Sequence, residues 1–222
     1  MEPENIPSAK LSQHEKPEIL LATRNKHKTR EIQTMLGEGV IVTDATEYSH
    51  LPEIEETGMT FEENAKLKAE GISLHVGGIV LADDSGLEVD ALGKEPGVYS
   101  ARYATLGMPQ GAGPECTDEA NTALVLKKMK GFPDEVRTAR FRCVLAVAEN
   151  GVTLATFNGT VEGILAHEVR GEGGFGYDPI FMPLIDGVYQ QTFGELSSEM
   201  KHTMSHRSRA LAQFKEWWNV RR

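Results

Sequence analysis

Four short polar runs interrupt otherwise apolar stretches of this 222-residue chain, and each carries residue types suited to one part of nucleotide chemistry. They are Thr23-Arg24-Asn25-Lys26-His27-Lys28, Ala82-Asp83-Asp84-Ser85-Gly86, Gly173-Gly174-Phe175-Gly176-Tyr177-Asp178-Pro179 and Ser205-His206-Arg207. The first supplies donors for phosphate oxygens, the second carboxylates for a divalent cation, the third an aromatic platform and the fourth a second cationic cluster. Together they are the kit for holding and cleaving a nucleoside triphosphate.

Thr23, Asn25 and Lys28 follow the apolar run Ile19-Leu20-Leu21-Ala22 and enter a helix, where unpaired backbone N–H groups favour an anion. Lys28 then holds a phosphate oxygen; an ordinary N-cap followed by surface lysines is the plainer alternative. No G-x-x-x-x-G-K-[ST] run exists, so this is not a P-loop. Glu55, Glu56, Asp83 and Asp84 offer carboxylates from two regions, and Mg²⁺ takes one or two of these with water and phosphate completing its shell. A carboxylate near the metal can also deprotonate the attacking water. Against this stand a solvated acidic loop at 53–56 and a turn at 83–84.

Gly171-Glu172-Gly173-Gly174-Phe175-Gly176 matches the dinucleotide fingerprint in form only. Pro179 disfavours helical geometry at Asp178, so the helix that fingerprint needs is missing. A glycine-rich loop with Phe175, Tyr177 and Asp178 suits stacking a base and bonding its edge, the alternative being a structural turn with core aromatics. His202 and His206 are four apart but lack the Glu of a helical zinc motif. Ser205-His206-Arg207 with Lys201 therefore reads as a polar clamp. No nucleophile elbow surrounds Ser85 or Ser205, which sets aside a serine triad.

These runs need a scaffold. The patterning predicts a strand at 19–22, a helix over 26–36 closed near Gly37, a strand at 40–42, and a helix from the capping box Thr60-Phe61-Glu62-Glu63 to about His75. Asn64 and Lys68 lie one turn apart beside that helix's apolar stripe, placed to line a cleft. A strand at 78–82 is expected to end at Asp83-Asp84, and 93–116 reads as mostly loop with room for a short helical piece before a helix over 117–130. Strands at 138–148 and 152–162 joined by Asn150-Gly151 form a hairpin, followed by strands at 164–169 and 180–182. A final helix from about Ser205 puts Ala210, Leu211, Phe214, Trp217 and Trp218 on one side. Such interleaving is α/β, a mixed sheet flanked by helices.

With 23 Lys+Arg against 33 Asp+Glu the formal charge is −10, which argues against polymeric nucleic acid as partner. Two cysteines, Cys116 and Cys143, far apart and without metal-ligand spacing, fit a reduced, cytoplasmic compartment. Residues 1–17 read as a flexible polar tail without signal-peptide character, leaving 18–222 as one domain. No run is long enough to span a membrane.

In this order the runs resemble the inosine triphosphate pyrophosphatase (Ham1-like) family, from about Ile19 to Phe214. The resemblance rests on Thr-x-Asn-x-x-Lys at 23–28, Glu-Glu-Thr-Gly with Thr-Phe-Glu-Glu-Asn-Ala at 55–65, and Ala-Asp-Asp-Ser-Gly-Leu at 82–87. Pro-Gly-Val-Tyr-Ser-Ala-Arg-Tyr at 96–103, Gly-Gly-Phe-Gly-Tyr-Asp-Pro at 173–179 and Ser-His-Arg at 205–207 complete it. It implies an elongated two-lobed α/β fold around a central mixed sheet, a cleft between the lobes and a homodimer. It also implies Mg²⁺-dependent hydrolysis, with Mn²⁺ as the alternative, of ITP, dITP and XTP to monophosphate and pyrophosphate. Carried over, Thr23, Asn25 and Lys28 grip the triphosphate. Glu56 and Asp84 serve the metal, Asp84 is the catalytic base, and Ser85 contacts substrate. Phe175 stacks on the purine with Gly176, Tyr177 and Asp178 completing the loop, while Lys201, His206 and Arg207 read the base edge. The first 17 residues and a long Gly/Pro-rich stretch at 105–116 depart from the family pattern.

Three rivals remain. A Maf-type pyrophosphatase for dTTP or UTP would share the metal chemistry but not the purine platform. A non-catalytic nucleotide sensor need not keep carboxylates at both 56 and 84, and an interaction protein would use Trp217 and Trp218 as a surface.

Overall fold

The computed structural model describes residues 16–106 and 116–221. Residues 1–15 of the tail expected over 1–17, and most of the long loop at 105–116, lie outside the described residues. Pro17, at the end of that expected tail, is buried, and its carbonyl accepts from Ile41 N at 2.9 Å.

Six strands make one sheet: β1 (Glu18–Leu21), β2 (Ile41–Asp44), β3 (Val80–Val89), β4 (Thr138–Glu149), β5 (Val152–Leu165) and β6 (Phe181–Pro183), in the order β2-β1-β3-β4-β5-β6. β1 is parallel to β2 and β3, with Ile19 opposite Val42 and Leu21 opposite Leu81, whereas β6 is antiparallel to β5. The sheet is thus mixed, as expected. The unbroken apolar run of β1 is what a strand buried on both faces requires. Flanking helices are α1 (Lys26–Leu36), α2 (Phe61–Ser73), α3 (Asp118–Lys128), α4 (Ser198–Met204) and α5 (His206–Val220). None among the described residues is long and apolar enough to cross a membrane.

The chain forms two compact units. The first holds the described residues through Asp84, then Val144–Asn158 and the chain from Ala210; the second holds Ser85–Cys143 and Gly159–Arg209. In the first, Thr60 Oγ1 accepts from Glu63 N while Glu63 Oε2 accepts from Thr60 N, each at 3.1 Å, so the capping box forms and starts α2. Asp44, fully buried, accepts from Lys26 Nζ, Thr29 Oγ1, and the amide and hydroxyl of Thr46. Burial works against its charge, but these donors outweigh it and hold the carboxyl below its ordinary 3.8. Phe157 packs edge-on against Phe214 and Trp217 of α5, each with centroids 5.8 Å away, on the side the periodicity predicts.

The second unit has its own core of Leu87, Val89, Tyr103, Val125, Phe141, Phe181 and Phe193 with their neighbours. Within it Arg137 is 2% exposed, and its guanidinium donates to three main-chain carbonyls: Leu165 at 2.8 Å, Met129 at 3.0 Å and Ala166 at 2.7 Å. Satisfying the fork this way keeps a buried cation tolerable.

The structure corrects two expectations. β3 does not stop at Ala82 but runs on to Val89, so Asp83 and Asp84 sit buried inside a strand; side-chain cations on α1 and α2 compensate them, as described below. No strand spans 164–169, because β5 continues to Leu165 and pairs there with Phe181 of β6. The short helical piece expected within the 93–116 loop is the 3-10 helix Gly97–Thr105. Residues Ser198–Met204, to which the sequence reading assigns no element, form α4, capped when Ser197 Oγ accepts from Met200 N. Cys116 and Cys143 are thiols, not a disulfide.

Candidate active site

The first unit gathers the cationic and acidic side chains. Asn25 is the N-cap of α1, its Oδ1 accepting from His27 N at 2.9 Å and Lys28 N at 3.3 Å, and Thr23 Oγ1 accepts from Asn25 N at 3.1 Å. This cap fixes the first turn and aims Lys28 at β3, where its ammonium lies 2.7 Å from Asp83 Oδ1. The plain capping reading and the phosphate reading are thus compatible: the cap positions the lysine.

Lys68, one turn beyond Asn64 on α2, is the hub of the acidic set. Its Nζ donates to Glu56 Oε1 at 2.6 Å, Asp84 Oδ1 at 2.8 Å and the Asp83 carbonyl at 3.0 Å. Burial disfavours its charge, yet Asp84 and Glu56 outweigh that and hold it above the ordinary lysine range. Asp84 moves up: burial dominates, Glu56 adds to it, and Lys68 and Lys28 oppose it. The loop that carries Glu56 is tied to α2 two residues further on, where Asn64 Oδ1 accepts from Gly58 N at 2.8 Å. Lys68 was missing from the residues carried over by resemblance; its signal was the Asn64/Lys68 pair at the edge of the α2 stripe.

Asp84 Oδ2 is buried with no hydrogen-bond partner among the described residues. Such an oxygen is costly unless something fills it, and an oxygen-seeking divalent cation fits it, with Glu56, about a quarter exposed, as the second carboxylate. Among the described residues no group of three or more His, Cys, Asp or Glu side chains is placed to hold a metal. A Mg²⁺ site needs only one or two.

The second unit gathers the aromatic loop and the clamp. Asp178 Oδ2 accepts from Phe175 N at 2.8 Å and from Lys201 Nζ at 2.6 Å, and both members of this ion pair are almost wholly buried. Gly174 is required here, for its φ is +75° and an added Cβ would stand 2.1 Å from Asp178 Oδ2. Lys201 Nζ lies 4.9 Å and Arg207 Cζ 5.7 Å from the Phe175 ring centroid, distances at which a cation is attracted to the ring face. Arg207 also donates to Ser85 Oγ at 2.9 Å. Gly86, next on β3, approaches the turn at Gly97 so closely that a Cβ would meet Ser100 Oγ at 2.2 Å. His206 stacks on Phe141, with centroids 4.8 Å apart and planes at 15°. His202 is on α4 and His206 on α5, with Ser205 breaking the helix between them. Tyr177 belongs to the core: its hydroxyl donates to the Ser100 carbonyl at 2.8 Å, and burial pushes its phenol well above the ordinary range.

A mixed α/β sheet carrying buried lysine–carboxylate clusters and a cation-faced aromatic loop defines a protein built for anionic, aromatic ligands. The sequence profile of the Ham1 family matches residues 19–217, and the chain belongs to that family. It is 49% identical to the dITP/XTP pyrophosphatase of Bacillus licheniformis over 195 residues, 87% of this chain and 94% of that protein. To the dITP/XTP pyrophosphatase of Bacillus subtilis it is 48% identical, covering 87% and 93%. Among solved structures, the Staphylococcus aureus Ham1 protein superposes with a TM-score of 0.77 at 38% identity, covering 92% of this chain and 100% of that one. The Coxiella burnetii HAM1 protein gives 0.77 at 40% identity, covering 92% and 99%.

Proposed function

We propose that this chain hydrolyses the non-standard purine nucleotides dITP, XTP and ITP to the monophosphate and pyrophosphate, removing them from the nucleotide pool. The observation that carries the reading is Asp84, a buried carboxylate with one oxygen held by Lys68 and the other uncommitted, in a chain whose relatives bear the name dITP/XTP pyrophosphatase. Water attacks the α-phosphorus and its proton passes to the Asp84 carboxylate. The bond from α-phosphorus to the bridging oxygen breaks, and pyrophosphate leaves. Burial makes Asp84 a stronger proton acceptor than a solvated aspartate. Lys28 and Lys68 neutralise phosphate oxygens, Thr23 and Asn25 shape the turn that grips them, and no protein nucleophile is needed. Glu56 and Asp84 would hold Mg²⁺, or Mn²⁺ in its place, which would supply further charge neutralisation on the phosphates.

Phe175 stacks on the purine, with Gly176, Tyr177 and Asp178 shaping the loop around it and Ser85 contacting substrate. Lys201, His206 and Arg207 read the base edge. A Lys201 donor at O6 welcomes hypoxanthine and xanthine but opposes the amino group of adenine, leaving two donors face to face. The reading includes a cytoplasmic homodimer that binds purine nucleoside triphosphates and neither polymeric nucleic acid nor membrane, in keeping with the excess of 33 acidic over 23 basic residues.

The test is product analysis after incubation of the purified protein and Mg²⁺ with dITP, XTP, dGTP, dATP and dTTP separately. Monophosphate plus pyrophosphate from dITP and XTP alone supports the reading. Preference for dTTP transfers the chain to the pyrimidine-directed alternative, and binding without turnover makes it a nucleotide sensor.

A further inference from the structure

The two amides that flank the Cα of Phe175 are each bonded to a carboxylate, and the two carboxylates come from different segments. Phe175 N donates to Asp178 Oδ2 at 2.8 Å, within the loop itself. Gly176 N donates to Asp118 Oδ2 at 2.6 Å, and Asp118 is the first residue of α3, 58 positions earlier. The carbonyl of the same Gly176 accepts from Thr122 Oγ1 at 3.3 Å, one turn further along α3. Thr122 is buried, so this hydroxyl has little access to water as an alternative partner. α3 is itself anchored: Asn121 Oδ1 accepts from Ala104 N at 2.8 Å and Asn121 Nδ2 donates to the Ala101 carbonyl at 3.1 Å.

We propose that Asp118 and Thr122 are specificity-positioning residues, which grip both polar groups of Gly176 and thereby fix the plane in which Phe175 presents its ring to the base. This inference rests on the purine-stacking role assigned to Phe175 above. The Gly176 N–H bond to Asp118 holds the peptide after Phe175, the Thr122 bond to the Gly176 carbonyl holds the peptide that follows it, and the Asp178 bond fixes the peptide before Phe175. With both peptides held, the ring's remaining freedom is its own side-chain torsions, and Lys201 and Arg207 lie beside its face. A pocket that discriminates purines by the placement of one ring loses discrimination when that ring tilts, before it loses chemistry at the phosphates.

The experiment compares Asp118→Ala, Asp118→Asn and Thr122→Val with the parent in two measurements. In steady-state hydrolysis of dITP and dGTP, Asp118→Ala is expected to raise KM for dITP about tenfold and to erode dITP over dGTP preference by a similar factor with kcat nearly unchanged. Thr122→Val is expected to give a few-fold change in the same direction. Asp118→Asn keeps an acceptor oxygen and restores parental values, a rescue that loss of charge alone would not give. In amide hydrogen exchange, read without nucleotide, the Gly176 amide is expected to exchange at least about tenfold faster in Asp118→Ala and at the parental rate in Asp118→Asn. An unchanged Gly176 rate in Asp118→Ala overturns the clamp whatever the protein hydrolyses. A parent inactive on dITP and XTP defeats the functional reading instead, and with a faster Gly176 rate it leaves the clamp standing.

Discussion

Replacing Lys68 by Met tests the acidic cluster where its energetics are sharpest. The ammonium lies 2.6 Å from Glu56 and 2.8 Å from Asp84, with side-chain exposures of 12% for Lys68, 24% for Glu56 and 8% for Asp84. Glu56 can turn toward water, so its share of the penalty is small. Asp84 cannot: Lys68 is its hydrogen-bond donor, and its other oxygen already lacks one. Removing one partner of a buried pair costs about 3–5 kcal/mol. A ceiling exists, since at neutral pH a carboxyl of ordinary pKa 3.8 can instead take up a proton for about 4 kcal/mol. Urea unfolding followed by circular dichroism, with chelator present, should therefore show Lys68→Met less stable by about 3–4 kcal/mol. Adding Asp84→Asn removes the orphaned charge, and the double variant should return to within about 1 kcal/mol of the parent. Millimolar Mg²⁺ should narrow the deficit of the single variant by filling the same carboxylates, and leave the double variant unchanged. A single variant within about 1 kcal/mol of the parent, or a double variant no more stable than the single, would refute the reasoning.

Gly174→Ala places a methyl 2.1 Å from Asp178 Oδ2 at a positive φ, and should cost about 1–3 kcal/mol with at least a tenfold drop in kcat/KM for dITP, read by thermal unfolding and steady-state assay. Asp44→Asn should destabilise most at neutral pH. The folded-state pKa of Asp44 is depressed, so its stabilisation is fully present above the unfolded value of about 3.8 and vanishes as pH falls through the lower folded value. Parallel stability-versus-pH curves for the two proteins would contradict this. Thr60→Ala should cost about 1 kcal/mol by removing the α2 cap, and a silent substitution would mean that tertiary packing alone holds that helix end.

Where the chemistry of a segment is set by neighbours in sequence, it was legible. The Asn25 cap, the Thr60/Glu63 box and the hairpin turn at Asn150-Gly151, both with positive φ, involve contacts two to four residues apart. The continuation of β3 was not legible, because Asp83 and Asp84 look like a strand terminus until Lys28, 55 residues away from Asp83, and Lys68, 16 from Asp84, are brought beside them. A sequence window sees the carboxylates and not their cations. α4, at seven residues, is too short to show a helical period and is marked only by the serine that caps it. Of the site residues, Phe175, Asp178, Lys201, Arg207 and Ser85 gather in one unit, and Lys28, Glu56 and Asp84 in the other. Tyr177 shares the loop by sequence but spends its ring on the core.

Arg137 ties Met129 to Leu165 and Ala166, and its own carbonyl accepts from Leu165 N at 3.0 Å. Residues 130–136, all exposed, therefore form a loop whose base is already fastened by the Arg137–Met129 bond. Lengthening a loop with its ends pinned costs little, about 0.6 kcal/mol per doubling, because closure entropy grows only logarithmically. That stretch is accordingly suited, among the described residues, to carry an inserted tag or reporter, since the Arg137 guanidinium fastens the end of the loop to Met129.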